Sequence, residues 1–284
     1  MCVFPVCLAV VLLTSSIQPS SATHNGGIHT PKGKPHETFP NETDVLPTDS
    51  VIGLTQHEEQ VILDFHNAMR AVTALGHTKD KHGKTQPAAA DMTKMEWSDE
   101  IAVAAQTYAD TCPLDHDSSR VYGENLAWGW GTPWSWLALA KLWFAEISDN
   151  PGQLVGSVDK FTQNMTADVI GHYTQMMWSQ SWQVGCGGRL CPDKPQHRYT
   201  LVCKYYFPGN RLGKPIYTRG TPCSSCAKSQ TCEYPLCVGK PLGEDCVDSE
   251  PNGACAHHVS MGWCHASTYM PYVQSKCTKS CGLC

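Results

Sequence analysis

Gly171-His172-Tyr173-Thr174-Gln175-Met176-Met177-Trp178 sets a single imidazole between a glycine and a run of bulky apolar side chains. The glycine frees the backbone on one side, while the apolar run must be packed on the other, so the ring has a fixed direction. A histidine held this way points at something. The rest of the chain supplies three candidates for what it points at.

The segments before this stretch read as helices. Thr55-Gln56-His57-Glu58 fits a capping box, and Val61, Phe65 and Met69 then recur at the four-residue spacing of one buried face. His66, Asn67 and Arg70 share this helix, where a polar trio beside an apolar stripe is expected to make structural hydrogen bonds. Residues 76–91 form a loop of Lys, His, Gly and Pro. Ser98 caps a second helix, with Asp99 and Glu100 in its first turn, which ends at Cys112-Pro113; His116 follows in the loop. Thr132-Pro133 starts a third helix carrying Leu137, Leu142 and Trp143 and ending near Ile147. Glu146 lies in its last turn, where a negative charge opposes the helix dipole, so either a partner holds it there or it is a solvated surface residue. After the histidine stretch, residues 184–190 and 199–207 read as strands, the second alternating through Leu201, Cys203 and Tyr205. Helices on both sides of a small sheet, joined by long loops, give an α+β chain arranged as an α/β/α sandwich.

The ends of the chain carry different signals. Residues 1–22 read as a secretory signal, with an apolar run too short to cross a bilayer, so the mature protein is expected to be secreted and extracellular. Residues 23–50 have almost nothing to bury and read as a disordered leader, with His24, His29 and His36 solvated. Asn41 and Asn164 head glycosylation sequons. The net charge is −5 with no run of basic residues, which argues against nucleic acid as a partner. Of sixteen cysteines, Cys2 and Cys7 leave with the signal; the even remainder reads as about seven disulfides in an oxidising compartment. Residues 208–217 form a Pro/Gly linker. Cys223, Cys226, Cys232 and Cys237 make a compact knot that reads as disulfides rather than zinc, and the six cysteines from Cys246 onward staple a small module.

His66-Asn67-Ala68-Met69-Arg70, Gly123-Glu124-Asn125-Leu126, the 171–178 stretch and Val202-Cys203-Lys204-Tyr205-Tyr206 together resemble the signatures of the CAP superfamily. The tail from Thr221-Pro222-Cys223 resembles the hinge and cysteine-rich domain of cysteine-rich secretory proteins, and its last cysteines are similar to the ShK-type toxin fold. The resemblance implies a CAP domain at 51–210, a linker and hinge at 211–243 and a ShK-like module at 244–284. It also implies a central cleft of His116, Glu124, Glu146 and His172, whose two histidines bind a divalent metal such as zinc in some members. The implied bridges are Cys112–Cys191, Cys186–Cys203, Cys223–Cys232, Cys226–Cys237, Cys246–Cys284, Cys255–Cys277 and Cys264–Cys281. Two departures stand out. Tyr122 and Tyr206 occupy positions where cysteine-rich secretory proteins usually carry a further bridge. The tail also lacks the Lys-Tyr pair with which ShK toxins plug a cation pore, leaving Trp263, Tyr269, Met270 and Tyr272 either as an apolar contact patch or as packing residues.

Two imidazoles and two carboxylates can form an open metal site, a set of general acids and bases, or a polar network satisfying itself. Catalysis lacks a nucleophile: Ser179 and Ser181 sit in no Gly-x-Ser-x-Gly elbow, and no HExxH is present. The expectation is therefore a secreted binding or modulating protein that requires no cofactor, with zinc as the ion its cleft would take. Its expected partner is an extracellular or membrane protein such as an ion channel. Sterol or lipid binding, known in some family members, and a weak hydrolase built on His116, His172 and a glutamate are the alternatives.

Overall fold

The structure is a computed structural model. It describes residues 53–281 except 120, 131–134, 150–157, 168–169, 195–197, 242–247, 251–252, 265–272, 274–275 and 278. The signal, the leader, Asn41, the Thr132-Pro133 cap and the Cys246–Cys284 bridge lie outside the described residues.

The first helix, α1 (Gln56–Ala74), opens on the expected capping box. Thr55 Oγ1 accepts the Glu58 amide, and the Glu58 carboxylate accepts the Thr55 N–H at 2.7 Å. A two-residue strand, β1 (Glu96–Trp97), leads to α2 (Asp99–Ala109), capped by Ser98. The helix ends before Cys112-Pro113, at Asp110, whose own N–H is still bonded to the Gln106 carbonyl. β2 (Gly123–Gly129) precedes α3 (Trp136–Asp149), whose Ser135 Oγ accepts the Ala138 amide and so caps it. Short helices α4 (Gln163–Ala167) and α5 (Gly171–Met176) lead to the long hairpin strands β3 (Gln183–Leu190) and β4 (Tyr199–Tyr206).

These strands form one mixed sheet in the order β1-β3-β4-β2, with β1 parallel to β3 and the other pairs antiparallel. The alternation expected of a half-exposed strand is absent from β4, which is buried along Tyr199–Tyr205. Both faces of this strand are covered along that run, so its positions there are interior ones. On one face Leu201, Cys203 and Tyr205 join α1, α3 and α5 in the main core, with Trp136, Trp143 and Trp178. On the other face Val202 and Leu126 pack on Ala105 and Ala109 of α2. The result is the α/β/α sandwich. The glycines of β3 explain how closely α2 approaches: a Cβ at Gly185 or Gly187 would overlap the backbone of Ser98, Ala102 or Gln106.

The stretch read as a linker enters the core, with Ile216 and Tyr217 fully buried. Beyond it the four-cysteine segment forms a small hairpin, β5 (Thr231–Glu233) and β6 (Leu236–Val238). The Cys237 N–H donates to the Met92 carbonyl at 2.9 Å, and the Lys94 N–H donates to the Cys237 carbonyl at 2.7 Å. Leu236 packs in the main core, and Lys94 Nζ pairs with Glu233 at 2.8 Å. Bridges Cys112–Cys191, Cys186–Cys203, Cys223–Cys232, Cys226–Cys237, Cys255–Cys277 and Cys264–Cys281 are all formed. In the tail, α6 (Ala254–Ser260) holds a core of Cys255, Cys264, Val273 and Cys277, and His258 stacks on half-buried Trp263. Tyr269, Met270 and Tyr272 lie outside the described residues. No helix among the described residues is long and apolar enough to cross a membrane.

Candidate functional site

The polar trio of α1 is structural. Arg70 is fully buried and donates to five carbonyls: Thr93, Met176, Trp178, Ser179 and Ser181. It ties α1 to the turn that follows α5. Burial lowers the guanidinium pKa to about 9. Asn67 bonds both the N–H and the carbonyl of Met95. His66 Nδ1–H donates to the Ile62 carbonyl and its Nε2 accepts from Tyr205 Oη at 2.9 Å. Burial lowers the His66 pKa to about 4 and keeps the ring neutral. Asn125 then donates to both Tyr205 Oη and the His172 carbonyl, so a hydrogen-bonded line runs from α1 to the backbone of His172.

Gly171 has no left-handed backbone and meets only one ordinary contact at the place of a Cβ. The expected backbone freedom is not what this position uses. Its carbonyl accepts instead from Asn210 at 2.8 Å and Thr174 at 3.1 Å. Gly123, by contrast, is under steric demand, since a Cβ there would overlap the buried Gln175 amide.

His172 Nδ1 lies 2.5 Å from Glu146 Oε1, and the other Glu146 oxygen accepts the Tyr173 amide at 2.9 Å. This is the partner that the dipole argument asked for: a carboxylate unfavourable at the end of its own helix meets an amide in the first turn of α5. Trp143 lies nearly parallel to the His172 ring, 6.4 Å away. On the other side, His116 Nδ1 donates to Glu124 Oε1 at 2.8 Å. The two imidazoles are 6.2 Å apart between ring centres, so the fold brings all four residues into one site. It is open on one side: His116 is 61% exposed, His172 30%, and the carboxylates only 7% and 11%.

Two further residues belong to this site. Lys204 faces Glu124 across the β2–β4 register, and its Nζ lies 2.8 Å from both Glu124 Oε2 and Asp117 Oδ2. It is 3% exposed and sits 5.0 Å from the Tyr108 ring centre. The Asp117 N–H donates to Glu124 Oε1, closing the loop around His116. Burial pushes the Glu124 carboxyl upward, but hydrogen bonds from His116 and Lys204 and the lysine charge outweigh it, so its pKa is lowered. Asp117 is lowered for the same reason, its burial outweighed by Lys204 and Ser119. The signal was present as a lysine inside an otherwise apolar strand, but the facing acids appear only with the strand register.

Ser179 and Ser181 are buried and occupied. Ser179 Oγ donates to Asp91, and Ser181 Oγ donates to the Phe207 carbonyl while accepting from Gln175. Tyr122 and Tyr206 lie near enough to interact electrostatically; burial, then Tyr122, raises the Tyr206 phenol. Asn164 is exposed on α4.

This fold and site define an α/β sandwich with a paired histidine–carboxylate site and a cross-linked tail. The model of the cysteine-rich secretory protein family, CAP, matches residues 63–205, and a ShK domain-like model matches residues 245–284. Human cysteine-rich secretory protein 2 is 31% identical over 221 residues, covering 74% of this chain and 82% of that protein. Scoloptoxin SSD976 of Scolopendra dehaani is 33% identical, covering 66% of this chain and 87% of the toxin. The solved structure of NaASP2 with Zn2+ superposes with a TM-score of 0.57 at 31% identity, covering 67% of this chain and 98% of that one. The chain belongs to the CAP, cysteine-rich secretory protein, family and carries a ShK domain.

Proposed function

We propose that this is a secreted, non-enzymatic binding protein that modulates an extracellular or membrane protein such as an ion channel. The observation that carries it is the state of the hydroxyls. Both serines that follow His172 in sequence are buried and bonded elsewhere, and among the described residues no serine or threonine hydroxyl bonds either site imidazole. A histidine–carboxylate pair without a nucleophile lacks the first component of covalent hydrolysis. The tail supplies a contact surface: α6 and the turn after it expose Val259 and Met261, 41% and 54% accessible, on a disulfide-held scaffold. The toxin and venom-allergen names among the relatives support the same reading. Full-length protein applied to cells carrying candidate channels should alter an ionic current, and Met261→Asp should weaken the effect. Hydrolysis by the purified protein that disappears in His172→Ala would overturn the reading.

A second reading is favoured by the paired imidazoles. Each Nδ1 is taken by a carboxylate, which orients the ring and leaves Nε2 as the ligand atom, the arrangement that suits zinc. His116 and His172 would hold the ion, with Glu124 and Glu146 steering them from behind. A bound zinc would supply a Lewis acid or a structural cross-link between the His116 loop and α5. Calorimetry on metal-free protein should show zinc binding that His116→Ala or His172→Ala weakens; no heat of binding in the parent protein disposes of it.

A further inference from the structure

Apart from the histidine site, the loop after α1 is the feature with the clearest unassigned chemistry. It runs His77-Thr78-Lys79-Asp80-Lys81-His82-Gly83-Lys84-Thr85. The loop is a closed turn. Lys79 and Thr85 pair as an antiparallel bridge, the Asp80 N–H donates to the Lys84 carbonyl, and Gly83 supplies the left-handed position, φ +76°.

The fold sorts these side chains by charge. Asp80 is turned inward, 5% exposed, and its Oδ1 accepts the His82 N–H at 2.8 Å and the Lys84 N–H at 2.9 Å. Thr78 is buried with it, bonded to Thr73. His77, Lys79, Lys81, His82 and Lys84 are all exposed. None of these lysines has an ion-pair partner among the described residues, whereas Lys94 and Lys204 do. In sequence an aspartate interrupts the cations. In the structure it braces the turn that presents them.

We propose that residues 77–85 bind a sulfated glycosaminoglycan of the cell surface or matrix. Three ammonium groups on one rigid turn suit a linear polyanion, which gains charge neutralisation at each of them. The loop contains no aliphatic residue and no Phe, Tyr or Trp, so it has nothing to insert into a bilayer beneath anionic headgroups. The inference takes from the proposed function only its extracellular location and uses none of the histidine-site residues.

The test is immobilised-heparin chromatography and titration of the full-length protein. Wild type should be retained at about 0.1 M salt, and the triple variant Lys79→Ser, Lys81→Ser, Lys84→Ser should bind about tenfold more weakly with a smaller salt dependence. The control removes the same charge elsewhere, at exposed Lys160, Lys194 and Lys279, and should keep near-wild-type retention. Circular dichroism and thermal midpoints verify that both variants are folded. Equal loss in the two triples, or no retention of wild type, overturns the proposal. Binding to phosphatidylserine vesicles without heparin binding also overturns it, in favour of a lipid headgroup.

Discussion

Lys204 Nζ lies 2.8 Å from Glu124 Oε2 while their side chains are only 3% and 7% exposed. A charge this deep in a strand is stable only because two acids meet it, and it in turn fixes the carboxylate that aims His116. Lys204→Met would leave Glu124 and Asp117 facing each other without a cation, a change expected to cost about 3 kcal/mol in chemical denaturation. The same variant with Glu124→Gln and Asp117→Asn added should recover most of that stability. If zinc binds, calorimetry should show it weakened by Lys204→Met, although Lys204 is not itself a ligand.

Arg70 is a second buried cation, satisfied by carbonyls rather than by an acid. Arg70→Lys keeps the charge but offers three donors from one point instead of a planar fork. Several of the five acceptors would be orphaned, and each unsatisfied buried group costs about 1–3 kcal/mol. The expected outcome is a large fall in denaturation midpoint and in secreted yield, and near-wild-type stability would refute the bracing role.

His66 makes stability depend on pH. Its folded pKa is about 4, below the ordinary 6.5, so the unfolded chain binds the extra proton. This contribution is fully present above 6.5 and is lost as pH falls from 6.5 towards 4, by on the order of 3 kcal/mol. Denaturation at pH 7 and 4.5 should show it. His66→Phe should be less stable at neutral pH, yet show a shallower slope across that window.

Leu236 ties the four-cysteine hairpin to the main core. Leu236→Ala should lower the stability of the whole sandwich by about 2–3 kcal/mol in a single transition. Unchanged sandwich stability would mean that the hairpin is only tethered.

Helix starts and the buried stripe of α1 were legible because capping and periodicity are local: Thr55 with Glu58, and Ser98 with Ile101, need only a few residues to be recognised. The four site residues were legible through their resemblance to CAP motifs, and Glu146 also through its misplacement at a helix end. Lys204 and Asp117 were not, because their meeting with Glu124 depends on the β2–β4 register and on how one loop closes. Burial within the residues read as a linker was not legible: proline and glycine mark irregular backbone, and irregular backbone can still bury Ile216 and Tyr217.

The amino-acid order by itself determined the three longer helices, the strands β3 and β4, the pool of cysteines and which imidazoles and carboxylates were available, since each rests on neighbours in the chain. Only the tertiary structure decided which carboxylate holds which histidine, that Arg70 braces the turn after α5, and that Asp80 turns inward beneath three exposed lysines. Those outcomes depend on distances between segments far apart in sequence, and they are settled when burial leaves each polar group only a few partners within reach.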